Sequence, residues 1–184
     1  MDNRHREESV KKISLALCVV FFGTVCSWAT ELSFQVVQHN DALDTVSEQT
    51  LVIEDQILDY FFNIGDIVTN EPALAAVVED AEGLRKTAYA IAASGGAEYF
   101  IQLRLFYGGK GSKDPANISL KNLVYVQWTI TEAASGKKIA EVKSKVRKPA
   151  SGRTDIEGVK EYAASVADAI RKELYKEIDK KSKR

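Results

Sequence analysis

The stretch NLVYVQWTIT, residues 122–131, decides the fold. Val124, Val126, Trp128 and Ile130 alternate with Tyr125, Gln127, Thr129 and Thr131. Period-two alternation of β-branched and aromatic residues marks a strand with one buried face. Two similar runs flank it. In AEYFIQLRLFY, residues 97–107, Tyr99, Ile101, Leu103 and Leu105 share one face, with Gln102 and Arg104 on the other. In residues 137–147, Ala140, Val142 and Val146 alternate with Glu141, Lys143, Lys145 and Arg147. The connection 132–137 is short and contains Gly136, as a hairpin requires. Connections this short do not accommodate parallel crossovers, so the three runs form an antiparallel meander.

Outward from this block, ELSFQVVQ at 31–38 alternates Leu32, Phe34 and Val36 with Ser33, Gln35 and Val37, a further strand. Val46, Ile53, Ile57, Phe61 and Ile64 recur at helical spacing and predict a buried helix over 44–64, with Asp44 as N-cap and Gly65 as C-cap. DIVT at 66–69 reads as a short strand. Pro72 suits the first turn of a helix over 73–94, interrupted near Gly83 and stopped by Gly95-Gly96. Residues 108–121 form a polar loop. Thr154 and Glu157 make a capping box for a last helix over 154–179, with a frayed tail at 180–184. The expectation is an α/β fold: a two-layer sandwich of a mixed, partly antiparallel sheet with three helices packed on one face.

The order β-α-β-α-β-β-β-α resembles the amino-terminal domain of TolB and the periplasmic domains of lipoprotein penicillin-binding-protein activators (LpoB-like) and curli-secretion lipoproteins (CsgG-like). The features that carry it are the helix entering Gly65 and 66–69, the passage Gly95-Gly96-Ala97-Glu98-Tyr99-Phe100-Ile101, and the hairpin from Thr129-Ile130-Thr131 to Ser135-Gly136-Lys137-Lys138-Ile139. The resemblance covers residues 31–179. It implies a non-enzymatic envelope module that works through protein contacts.

Ahead of the first strand, residues 1–12 end in Lys11-Lys12, and ISLALCVVFFGTVCSWA at 13–29 is uncharged. A positive segment, an apolar run and small residues at Ser27 and Ala29 form a secretory signal cleaved between Ala29 and Thr30. The alternative is an inner-membrane anchor, since the run is at the lower limit of a bilayer span. Cys18 and Cys26 both fall in this run and neither follows a lipobox, so a lipid anchor is not expected. With residues 1–29 removed, a single domain over 30–184 remains, without cysteine, and its membrane contact ends with cleavage.

Few residues suggest chemistry. His39, near Asp41 and Asp44, is the only histidine after Ala29 and would anchor a small hydrolase or metal-dependent enzyme. A structural role suits it better, and no nucleophile–base pair is visible. Gly108-Gly109-Lys110-Gly111-Ser112 lacks phosphate-loop spacing and joins strand to strand. No cofactor is expected, and a net charge of −1 argues against nucleic acid as a partner. A lipid or glycan carrier would need an apolar cavity.

Charge is distributed unevenly. Residues 30–84 hold twelve carboxylates and no lysine or arginine, whereas 85–184 hold 21 basic and 11 acidic residues. Internal compensation between the two parts is one reading; protection of an edge strand by lysines is another. Functionally, the alternation places Gln35, Gln102, Arg104, Gln127, Thr129, Lys143 and Lys145 on an uncovered sheet face, suited to an acidic envelope protein or an anionic envelope polymer as partner.

The export reading has a direct check. Intact mass and N-terminal sequencing of the native protein should give a chain beginning at Thr30; a membrane-held chain beginning at Met1 establishes the anchor instead.

Overall fold

The computed structural model describes residues 29–77 and 80–183, so the expected signal segment lies almost wholly outside the described residues. Among the described residues, five strands and three α-helices follow one another as β1 (Glu31–His39), α1 (Glu48–Asn63), β2 (Ile67–Ala75), α2 (Ala81–Ser94), β3 (Tyr99–Tyr107), β4 (Leu123–Glu132), β5 (Lys138–Lys145) and α3 (Ile156–Ser182). The fold is α/β, as the sequence predicts. The sheet runs β2-β1-β3-β4-β5. β1 is parallel to β2 and β3, while β3, β4 and β5 form the expected antiparallel meander.

Helix placement corrects the expectation of three helices on one face. Ile53, Ile57 and Phe61 of α1 and Val159, Ala163, Val166 and Ile170 of α3 pack on Phe34, Ile101, Leu103 and Trp128. Ala88 and Ala92 of α2 pack instead on Phe100, which the alternation turns to the opposite face. The cause is handedness. The step from β1 to β2 goes one way along the sheet, and the step from β2 to β3 returns across β1 and goes the other way. Parallel crossovers are right-handed, so opposite steps place their helices on opposite faces. β1 is accordingly buried on both sides from Leu32 to His39.

Several boundaries move for local reasons. α1 begins later than expected: Ser47, not Asp44, is its N-cap, and the Ser47 hydroxyl accepts from Thr50 N–H. β2 continues through Pro72 to Ala75, where a helix was expected. As an edge strand beside β1 alone, it tolerates a residue without an N–H, and the register slips there between Gln35 and Val37. α2 runs through Gly83 without interruption. Asp155, not Thr154, caps α3 and accepts from Gly158 N–H at 3.2 Å. The tail expected to fray continues the helix to Ser182, with Lys181 paired to Glu132. In β4 the register shifts between Phe106 and Tyr107. Val124 is consequently 53% exposed, and Leu123 takes the inward position expected of it.

Trp128 is 3% exposed, within the layer under α1 and α3. Trp128→Ala should cost about 3–5 kcal/mol, as a large-to-small core change does. Ala88→Leu, pressed against Phe100, should cost about 1–3 kcal/mol by overpacking. Urea unfolding of both variants checks the two faces separately.

Candidate functional site

The face of the sheet opposite α1 and α3 carries most of the residues that the sequence singles out. Neighbouring strands align them in rows, first Gln35, Gln102, Thr129 and Glu141, then Val37, Arg104, Gln127 and Lys143. A third row holds His39, Phe106, Tyr125 and Lys145. The expected open face is therefore assembled, but it is not open. Gln35, Gln102 and Thr129 are 4%, 2% and 6% exposed on the side where α2 packs. Gln102 Nε2 donates to Gln35 Oε1 at 2.8 Å, so these amides satisfy one another instead of facing a partner. Arg104 and Gln127 are half-buried, and only Lys143 and Lys145 are exposed.

His39 ends β1, one residue past the strand expected at 31–38, and lies inside this face. Its Nδ1 is 2.7 Å from Ala76 O, and its Nε2 accepts from Arg104 Nε at 2.9 Å. These partners define the tautomer, with the proton on Nδ1 donated to Ala76 O. The ring stacks on Phe106 at 4.6 Å, Phe106 stacks on Tyr125 at 4.0 Å, and Lys143 Nζ sits 3.8 Å from the Tyr125 centroid. Burial pulls the Arg104 guanidinium below its ordinary value. His39 is thus the hub tying β1 to β2 and β3.

A cleft of about 1070 Å³ lies outside the carboxyl ends of β1 and β2. This is the point where the chain leaves for opposite faces, the place at which open α/β sheets bind ligands. Among the described residues, Asp41, Asp44 and Asp80 line it, without lysine, arginine or His39. The acid–base cluster suggested by His39, Asp41 and Asp44 is therefore not brought together. Among the described residues no group of three His, Cys, Asp or Glu could hold a metal ion.

At the other edge of the sheet the chemistry is basic. β5 pairs with β4 alone, and Lys143, Lys145, Arg147 and Lys148 are exposed along it and just beyond. Glu141 is engaged by Gln127 Nε2 at 2.9 Å and by Lys138, which holds its carboxyl below the ordinary range. Every ion pair found among the described residues lies between Glu82 and Lys181. Among these pairs only Glu82–Arg85, three residues apart, joins the acidic first part to the basic second part, so the fold compensates charge between the two parts only at their junction. Sheet order instead separates an acidic side at β2 and α1 from a basic edge at β5.

Beneath that edge, a second cleft of about 460 Å³ opens between the end of β5 and α3. Periodicity did not reveal it, because its walls come from a strand end, a connection and a helix face. No described helix is long and apolar enough to cross a membrane.

The chain belongs to the sequence family described as "Uncharacterised protein", whose pattern it matches over residues 31–179. No curated protein matches it. Among solved structures it is similar to the PelC dodecamer from Paraburkholderia phytofirmans, at 12% identity and TM-score 0.44, over 79% of this chain and 87% of that chain. It is also similar to TolB from Acinetobacter baumannii, at 13% identity and TM-score 0.41, over 80% of this chain but 29% of that one. A third is the LpoB C-terminal domain from Salmonella enterica, at 14% identity and TM-score 0.37, over 71% and 93% of the two chains. The TolB-like and LpoB-like resemblance stated from the sequence is met in these matches.

The role given to His39 predicts a stability effect. His39→Ala leaves the Arg104 guanidinium and Ala76 O without their partner and should cost about 1–3 kcal/mol, read by chemical denaturation.

Proposed function

We propose that the protein is exported, cleaved between Ala29 and Thr30, and acts in the periplasm or outside the cell as a single-domain module over 30–184. It performs no reaction of its own; it holds an acidic envelope protein against the β5 edge. The observation that carries this reading is the run Lys143, Lys145, Arg147 and Lys148, exposed on one edge with no ion pair among the described residues. Edge protection accounts for Lys143 and Lys145, which stand in register with Gln127 and Tyr125. It does not account for Arg147 and Lys148, which lie past the end of β5. Of the sheet-face residues named from the sequence, Lys143 and Lys145 are thus kept as partner contacts. Gln35, Gln102 and Thr129 become supports of the α2 side, and Arg104 and Gln127 buttress the edge.

The pinned His39 ring favours a contact module over an enzyme built at that histidine. A cluster of exposed cations contributes more to encounter and selectivity than to raw affinity. It is also salt-sensitive, because exposed charges are screened over about 8 Å at physiological ionic strength.

The test is capture of envelope proteins by immobilised wild-type chain and by Lys143→Glu/Lys145→Glu, at low and high salt, with circular dichroism as folding control. The wild type should retain a partner at low salt and release it at high salt, and the double variant should fail to retain it while staying folded. Equal capture by both at low salt returns the stripe to edge protection.

A further inference from the structure

The cleft between β5 and α3 contains two buried polar groups that the fold leaves unsatisfied. Trp128 and Tyr162 both line it. They are 3% and 5% exposed, and Trp128 Nε1 and Tyr162 Oη have no hydrogen-bond partner. Leaving a buried donor unpaired is costly, and native chains rarely do so without a reason. Two orphaned donors beside one cleft call for a shared acceptor. Burial pushes the Tyr162 hydroxyl up to about 12, so it keeps its proton and remains a donor at neutral pH.

The rest of the lining sets the charge of that acceptor. Arg147 and Lys148 contribute two cations, against Glu161 as the one carboxylate, while Lys145 lines the cleft from a position whose side chain belongs to the opposite sheet face. Glu161 is already engaged, accepting from Ser151 N–H at 3.3 Å. A carboxylate offers two acceptor oxygens and no donor, which matches two neutral N–H and O–H donors within a positive surround. The volume suits one or two side chains.

We propose that this cleft receives a carboxylate side chain of the acidic partner held on the β5 edge, with Trp128 Nε1 and Tyr162 Oη donating to it. The proposal rests on the reading of that edge as the docking surface and adds the pocket that gives it selectivity. Both donors are closed to solvent in the free chain. The carboxylate reaches them as the wall at 147–150 shifts, a connection outside any strand or helix, tethered by Gly152 N–H to Pro149 O at 2.9 Å. The surface cations draw the partner in, and the buried donors distinguish a carboxylate from its amide.

The test uses the full chain, in detergent, and end-blocked pentapeptides with a central Glu or Gln. Binding is measured by calorimetry and by the indole N–H resonance of Trp128, assigned with Trp128→Phe. The Glu peptide should bind and shift that resonance, and the Gln peptide should bind at least tenfold more weakly. Tyr162→Phe and Trp128→Phe should each weaken the Glu peptide about tenfold. Tyr162→Phe should leave unfolding of the free chain unchanged or later, because it removes an unpaired hydroxyl. A lowered stability of that variant, or an unmoved indole resonance with wild-type binding by Tyr162→Phe, overturns the proposal. If Lys143→Glu/Lys145→Glu loses the Glu peptide while both ring variants bind normally, the edge is the docking surface and the cleft assignment fails. If the ring variants lose the peptide while the lysine variant retains it, the edge reading fails and the cleft stands. Glutarate binding as tightly as the peptide, or polygalacturonate binding in its place, overturns a protein as the source of the carboxylate.

Discussion

The position of β1 between two parallel neighbours constrains everything else in this molecule. Once β2 pairs on one side of β1 and β3 on the other, two right-handed crossovers leave in opposite directions. α1 then covers one face and α2 the other. β1 becomes a strand without a wet side, and its polar residues must find partners inside the protein. They do so: Gln35 accepts from Gln102, and the Gln38 amide donates to Thr45 O and accepts from Ser47 and Thr50. Because buried polar groups are costly unless paired, these side chains specify register as well as filling space.

The same topology distributes charge. The acidic first part of the chain builds β1, α1 and β2, while β4, β5 and α3 come from the basic part. Placing β2 and β5 at opposite edges turns a difference along the sequence into a difference across the molecule. Apart from Lys181–Glu132, ion pairs among the described residues form between near neighbours, as along α3 between Asp168 and Lys172, and contribute little each in solvent. The long-range effect is a positive edge available to an oppositely charged surface.

Below that edge, packing is incomplete in a particular way. α3 lies over the middle of the sheet and leaves the β5 flank half-covered, with Ile139, Ala140 and Val142 only partly buried. The 147–150 connection closes this flank from the side. Trp128 and Tyr162 fill the space with rings but leave their polar ends unpaired. A site for chemistry of recognition thus arises where two layers fail to close, without any cluster of reactive groups.

Local pattern was enough to establish the strands at β1, β3, β4 and β5, the amphipathic faces of α1 and α3, the hairpin at Gly136 and the burial of Trp128. Each depends on residues within a few positions of one another, where side-chain period and turn chemistry act directly. Val124 was misplaced because a bulge depends on the partner strand, and Pro72 because an edge strand tolerates proline that a central one does not. The exposure of Gln35, Gln102 and Thr129 was misjudged for a larger reason. Alternation assigns residues to the two faces of a strand, but what covers each face depends on crossover handedness and strand order, which join segments far apart in the chain. Lys143 and Lys145 were expected to be exposed and are, because β5 is an edge strand away from the α2 contact on Phe100. The pairing of Trp128 with Tyr162 beside one cleft was not, because only the packing of α3 against β4 and β5 brings the two residues together.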